Sequence, residues 1–431
     1  MVSGANAHWR VALDGTGGWI NQSSDIFDTL PPIGDKKSET GQAPIFATYS
    51  AGLKTNRDTW CYNFSRAAVE QNMGTLIDTY NQDIEAFRPT GSSANQRLDE
   101  AKAHATYDDT RISWNRGTFK DFAAQKRYAY NDGALRLGTY RPFTKQHVYF
   151  DRQLVDMIYQ LPSMFPTPAH DNYGFYLTAP GSGHEATLLA TDQVPDLAFW
   201  GSGSGQFFPR YTWERVEDAE PDLLSGLDDS GANVVVDGYR RIDNITNATL
   251  THYQEAFGDD VTKGAIFAHI YALLHSQQYR SAFAAELKRR LPRIPLPASS
   301  SDFWSFASAG QKLLDLHINY EEVEPCPLEE ETTLGGASDP GLYQVQKMKW
   351  GGKANAKDKS RLIYNTNITL TGIQTSRAAS EVSPVATTEA TASREWSSIS
   401  WKITALPPPV STYSVASSCH KQFGAGYTNR R

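Results

Sequence analysis

The sequence has only three cysteines, Cys61, Cys326 and Cys419. They are odd in number and far apart, and none sits at Cys-x-x-Cys or Cys/His spacing, so neither a disulfide framework nor a zinc site is encoded. No apolar run approaches the roughly 20 residues needed to cross a bilayer. Met1 to Trp19 also lacks the basic-then-apolar order of a secretory signal. These absences point to the cytoplasm without membrane contact, and make the Asn-x-Ser/Thr triplets at Asn21, Asn63, Asn244, Asn247 and Asn367 chance matches.

Chemical motifs are equally scarce. No Gly-x-x-x-x-Gly-Lys-Ser/Thr loop is present for ATP, and Gly15, Gly17 and Gly18 neither follow an apolar strand nor open a periodic helix. The Asn/Asp-Pro-Pro-Tyr/Phe tetrapeptide with which amino-methyltransferases hold an extruded base is missing too. Gly201 to Gly205 has glycine rather than serine at its centre, so it reads as a turn and not a nucleophile elbow. His269 and His275 are six apart and point in different directions on a helix. Pro195-Asp196 with Glu286-Leu287-Lys288 would suit a nuclease only if the carboxylates converge, and the second triplet falls in an amphipathic helix far downstream. No catalytic residue and no metal ligand is therefore assigned.

What is present is a 431-residue chain, longer than one hydrophobic core supports, so two or three packed units are expected. Its apolar and aromatic content suffices for folding, while 22 prolines and 32 glycines are too many and too scattered for a helical array. The fold class expected is α+β, with mixed short-strand sheets and packed helices in two or three subdomains. Four segments are expected: 1–135, an N-terminal α+β part; 136–260, a β-rich part; 261–373, a helical pair plus C-terminal strands; and 374–431, a Ser/Thr/Ala/Pro-rich tail expected to be disordered.

Helical spacing of Val69, Met73, Leu76, Ile77 and Tyr80 predicts a helix over Ala67–Tyr80. Thr262–Leu291 reads as a helical pair broken at His275, with Ser276 as N-cap and Pro292 as the stop, and Phe303–His317 as a further helix. Strands are expected at Phe175–Leu177, Leu188–Ala190, Leu197–Trp200, Gln344–Trp350 and Arg361–Leu370, and Tyr140–Phe150 reads as a turn feeding a strand.

The net charge of −7 opposes indiscriminate coating of nucleic acid, whose affinity comes from neutralised phosphates. Positive charge is nevertheless gathered: Lys120, Lys126, Arg127, Arg136, Arg141, Lys145 and Arg152 face only Asp121, Asp132 and Asp151 in the same stretch. Lys347, Lys349, Lys353, Lys357, Lys359 and Arg361 face only Asp358. Acidic residues collect at Glu321, Glu322, Glu324 and Glu329 to Glu331. This layout permits one basic DNA-facing surface; two solvated faces account for it equally well. Basic and aromatic residues also interleave at Tyr128, Tyr130, Arg141, Phe143, Lys145, His147 and Tyr149, as a base- and phosphate-contacting strand would require. A half-buried strand with solvated lysines carries the same pattern.

Several strings occur in one order: Gly18-Trp19-Ile20-Asn21-Gln22, Thr55-Asn56-Arg57-Asp58-Thr59-Trp60, Tyr140-Arg141-Pro142-Phe143, Pro195-Asp196 leading to Gly201-Ser202-Gly203-Ser204, Arg241 to Thr246, Leu291-Pro292-Arg293-Ile294-Pro295, and Tyr364-Asn365 with Ile368-Thr369-Leu370. In that order the chain resembles the C-terminal specificity region of type ISP restriction-modification enzymes, which join nuclease, translocase, coupler, adenine methyltransferase and target-recognition parts in one polypeptide. The resemblance spans residues 18–373 and implies a module that reads an asymmetric site in double-stranded DNA. It would present that site to methyltransferase and helicase-nuclease regions of the same enzyme, or encoded upstream, and would not be catalytic alone. It implies no cofactor in this chain, and S-adenosylmethionine, ATP and Mg for the full enzyme. The tail lacks the apolar helices expected to finish the domain, as a truncated or frame-shifted coding sequence would. The DNA-contact residues expected are Arg57, Arg116, Arg141, Phe143, Lys145, Tyr149, Lys357, Lys359 and Arg361. Two other readings stay open: a methyltransferase fragment active only with a partner chain, and a non-enzymatic, aromatic-rich interaction protein.

Overall fold

The computed structural model describes residues 25–36, 41–182, 186–201, 204–216, 234–324, 328–332 and 348–373. The expected tail, Gly18–Gln22 and Gly203 lie outside them. Helix starts follow local capping chemistry. After the short helices α1 (Asp25–Thr29) and α2 (Asp58–Cys61) and strand β1 (Tyr62–Asn63), the Ser65 hydroxyl accepts from the Ala68 amide and opens α3 (Arg66–Ala86). This helix runs past the expected end at Tyr80 because Ile84 continues its buried stripe. Capping boxes at Ser93/Gln96 and Asn115/Thr118 start α4 (Ala94–His104) and α5 (Arg116–Ala123).

Next come β2 (Leu135–Arg141), β3 (Thr144–Tyr149), α6 (Leu161–Met164), β4 (Gly174–Thr178), β5 (Leu188–Thr191), β6 (Val194–Pro195), β7 (Gly205–Pro209), β8 (Tyr211–Arg215), β9 (Val235–Val236) and β10 (Tyr239–Asp243). The turn at Pro142-Phe143 feeding β3 is the expected one. Leu197–Trp200 is not a strand: the Asp196 side chain accepts from the Ala198 amide at 2.9 Å and its carbonyl from the Phe199 amide at 3.2 Å, which closes a turn. Thr246 caps α7 (Asn247–Phe257) and Thr262 caps α8 (Lys263–His275). Ser276 accepts from the Tyr279 amide to start α9 (Gln277–Ala282), so the pair breaks where its sequence implies. The helices α10 (Ala284–Leu287) and α11 (Ser300–Ile318) follow, and α11 packs on α8 so closely that a Cβ on Gly310 would collide with the Ala268 carbonyl.

The chain falls into two compact units. The first, within Met1–Arg141 and Lys145–Ile318, contains three small sheets: β1-β3-β2-β6, in which β2 and β6 run parallel, the antiparallel β5-β4-β7, and the antiparallel β8-β10-β9. Its main core is aromatic: Phe46, Phe175, Phe208, Phe267 and Tyr271 pack edge-on or offset.

The second unit, within Pro142–Thr144 and Asn319–Arg431, holds β11 (Glu329–Thr332), β12 (Lys349–Lys353), β13 (Ala356–Ile363) and β14 (Ile368–Thr371), ordered β11-β14-β13-β12. The strand expected over Arg361–Leu370 is interrupted because the Asn365 side chain accepts from the amides of Asn367 and Ile368, both at 2.8 Å, and turns the chain. Gln344–Lys347 lies outside the described residues. Pairing puts Leu362 and Leu370 on one face with Trp350, over a small apolar cluster, while a register shift between Trp350 and Gly351, whose partners are Leu362 and Asp358, breaks the alternation of β13, so Lys357 and Arg361 do not share one alternating face.

Candidate nucleic-acid interface

Three strings far apart in sequence meet in the first unit. Thr55 donates its hydroxyl hydrogen to one Asp58 oxygen, and Tyr140 donates to the other at 3.1 Å. The Arg141 guanidinium lies 3.9 Å from the Tyr140 ring centroid and donates to Asp196 at 2.7 Å. Asp196 itself lies beside Leu53, which forms a parallel bridge with it. Burial pushes the Asp196 carboxyl up to about 6, a rise that Arg141 opposes and Asp58 reinforces. The result is a packed carboxylate-arginine-aromatic knot under the β2–β3 hairpin.

The turn at Thr55–Asp58 is shaped by its inward-facing side chains. Thr55 and Arg57 are buried, the latter only 4% exposed, and Arg57 donates to the Thr118 hydroxyl at 3.2 Å. Its Nε and Nη1 have no acceptor among the described residues, and burial lowers its pKa. Arg57 thus faces away from solvent and toward the start of α5, whereas Arg116, the first residue of that helix, is exposed.

The hairpin residues divide. Arg141 and Lys145 are partly exposed. Tyr149 is fully buried, and its hydroxyl oxygen accepts from the Asn131 amide at 2.7 Å. Phe143 is also buried; with φ of 55° it forms the tip of the hairpin, and its ring meets the edge of Tyr320 within the second unit. Alternation along a strand told us that these rings share a pattern with the lysines, but not that the core would claim them; in this structure neither ring is open to a base. On β13, by contrast, Lys357, Lys359 and Arg361 are exposed, and so is Lys349, which pairs with Ile363 from β12. Arg361 also reaches Glu331 of β11 at 2.9 Å, where basic residues of β13 meet acidic ones of β11.

Sequence reasoning missed Asp196 as the partner of Arg141. The nuclease arrangement finds no support: Asp196 is engaged by Arg141, Glu286 is buried in α10, and no three His, Cys, Asp or Glu side chains gather as metal ligands among the described residues. An open cleft of about 590 Å³, lined by Arg136, His170, Asp192, Tyr211 and Arg241, carries both charges, and on its wall the Thr167 hydroxyl is hydrogen-bonded to His170 Nδ1 at 2.7 Å. Among the described residues no helix is long and apolar enough to cross a membrane.

The sequence profile of the type ISP C-terminal specificity domain matches residues 44–377, and the chain belongs to that family. No curated protein matches it. Among solved structures it is similar to a nuclease-deletion mutant of the type ISP restriction-modification enzyme LlaGI in complex with a DNA substrate mimic, at 26% identity and TM-score 0.65, covering 86% of this chain and 30% of that one. It shares its fold with the ATP-dependent type ISP enzyme LlaBIII bound to DNA (24% identity, TM-score 0.67, 96% and 25% covered). The same holds for DrdV in a DNA complex (23%, 0.68, 97% and 40%). The chain thus spans well under half the length of each.

Proposed function

We propose that this chain is the DNA target-recognition region of a type ISP restriction-modification enzyme, reading an asymmetric site and presenting it to an adenine methyltransferase and a nuclease-translocase carried elsewhere. The observation that carries the reading is the specificity-domain match over residues 44–377; the LlaGI relative, solved on a DNA substrate mimic, supports it. The whole enzyme would use S-adenosylmethionine, ATP and Mg²⁺ in the cytoplasm, while this chain contributes contacts to double-stranded DNA.

On this reading Arg116, Lys145, Lys357, Lys359 and Arg361 meet phosphates, and Arg141, half-buried but oriented by Asp196, is placed to reach a base edge. Arg57, Phe143 and Tyr149 shape the elements that carry those contacts, since buried groups do not reach a duplex. The test is selection of a randomised duplex pool by the full chain, followed by titration of the enriched duplex at several salt concentrations. A preferred sequence should emerge, and Lys357→Ala and Lys359→Ala should each flatten the log-affinity against log-salt slope by about one. Arg141→Ala with Lys145→Ala should weaken binding to the enriched duplex. Absence of any enriched sequence overturns the reading.

A further inference from the structure

Two short segments of the first unit face each other and are held in conformations that cost free energy. Lys54 pairs with Met157 as an isolated antiparallel bridge, its amide donating to the Met157 carbonyl at 2.9 Å and its carbonyl accepting from Met157 at 2.9 Å. Two residues on, Asn56 stands in the left-handed region with φ of 54°. Its neighbours Thr55 and Arg57 are both turned inward, anchored on Asp58 and Thr118, so Asn56 is thrust outward; its side chain is exposed and makes no hydrogen bond among the described residues. On the facing segment Tyr159 also has positive φ, 49°, a conformation that an aromatic residue rarely adopts. Its ring is 39% exposed and Met157 is 42% exposed, although the neighbouring Ile158 and Leu161 are buried.

A strained backbone that displays an aromatic ring, a thioether and an amide to water gains nothing from burial or from hydrogen bonding within the chain. Such strain collects at ligand-contacting positions. Charge around the patch is sparse: Lys54 is occupied by Asp156 at 2.8 Å, and Arg116 lies near enough to oppose the Lys54 charge. Arg116 has no acidic partner among the described residues. An amide that offers one donor and one acceptor side by side, next to an aromatic wedge and one cation, matches a duplex: Asn pairs bidentately with a base edge, and apolar side chains press on base steps.

We propose that the Lys54–Asp58 turn and the facing Asp156–Tyr159 segment form a base-contact element, in which Asn56 reads a base edge, Tyr159 and Met157 pack on the adjoining step, and Arg116 takes a flanking phosphate. This rests on the DNA-recognition reading above and adds a specificity determinant outside the β2–β3 hairpin. Arg57 acts as a positioning residue that pins the turn.

The test uses the full chain and the randomised duplex pool. Asn56→Gly suits the left-handed backbone and removes only the amide; Asn56→Asp keeps a residue tolerant of that backbone and removes the donor. Both should keep the melting temperature of the parent, weaken binding to the parent's enriched duplex roughly 5- to 150-fold, and erase the preference at one position of the reselected site, with affinity for unselected DNA unchanged. Tyr159→Gly should weaken binding to the enriched duplex while Tyr159→Phe does not. Arg116→Ala should weaken selected and unselected DNA alike. If the parent selects a sequence but Asn56→Gly and Asn56→Asp select the same one with equal affinity, this element is not a base reader while the recognition reading stands. Equal losses on selected and unselected DNA overturn it as well. A parent that selects nothing removes the underlying reading first.

Discussion

At Asp196 burial and pairing pull in opposite directions. The carboxyl is almost wholly enclosed and rises to about 6, even though Arg141 donates to it at 2.7 Å. A carboxyl held higher in the folded state than in the unfolded one makes the folded protein bind the extra proton between about pH 4 and 6. Its contribution is therefore present below pH 4 and is lost as pH rises to 6, about 3 kcal/mol from a shift of roughly two units. Asp196→Asn should remove that dependence: subtracting the variant's urea-unfolding free energy from the parent's should leave a difference that falls between pH 4 and 6 and is flat above pH 7. A flat difference throughout would show that the carboxyl titrates normally. At this scale the sequence announced which residues carry charge. It could not say which carboxylate meets Arg141, because the partner is 55 residues away and is brought in by the parallel pairing of β2 with β6.

Helix α8 is buried on nearly every side, and with α11 it encloses three histidines. Burial depresses His269 to about 3 and His317 to about 4, and holds His275 well below its ordinary value, aided by His317 and Arg280. Tyr253 faces His269 at 3.4 Å, and Tyr271 is hydrogen-bonded to His317. Depressed histidines contribute stability in full above about pH 6.5, and that contribution is lost as pH falls toward their folded values, because only the unfolded chain takes up the protons. His269→Phe, packed among Tyr253, Phe303 and Phe306, should flatten the loss of stability below pH 6.5 by up to about 1.4 kcal/mol per pH unit. Parallel parent and variant curves from pH 4.5 to 7.5 would show that His269 gains protons in the folded state. Elements such as this were legible in the chain: apolar spacing, Thr262 and Ser276 caps, and Pro292 all speak locally. Strand limits were less so, since Asp196 and Asn365 make turns that apolar content alone conceals.

Considered whole, the chain belongs to the type ISP C-terminal specificity domain family, and its sequence contains neither a phosphate-cradling Gly-x-x-x-x-Gly-Lys-Ser/Thr loop nor the methyltransferase tetrapeptide. Purified alone, it should show no DNA cleavage, no ATP hydrolysis and no transfer of labelled methyl groups to DNA, because the phosphate-cradling loop and the methyltransferase tetrapeptide are missing from its 431 residues. Incorporation of label by the chain without a partner would overturn this. Charge is unevenly spread: the net charge is negative, yet Lys357 and Lys359 are exposed on β13, while Glu329 and Glu331 lie on β11 across the intervening β14.

By itself the sequence determined the α+β class, the cap-bounded helices, the clustering of basic residues and, through ordered strings, the family. Those are local or additive properties, set by propensity, periodicity and composition over a few turns of chain. Tertiary structure alone decided which members of the basic-aromatic pattern face water: Tyr149 and Phe143 went to the interior, and Arg57 turned toward Thr118. It also decided that Asn56 and Tyr159 would stand outward on left-handed backbone, because such strain persists only where surrounding packing holds both neighbours of the displayed residue in place.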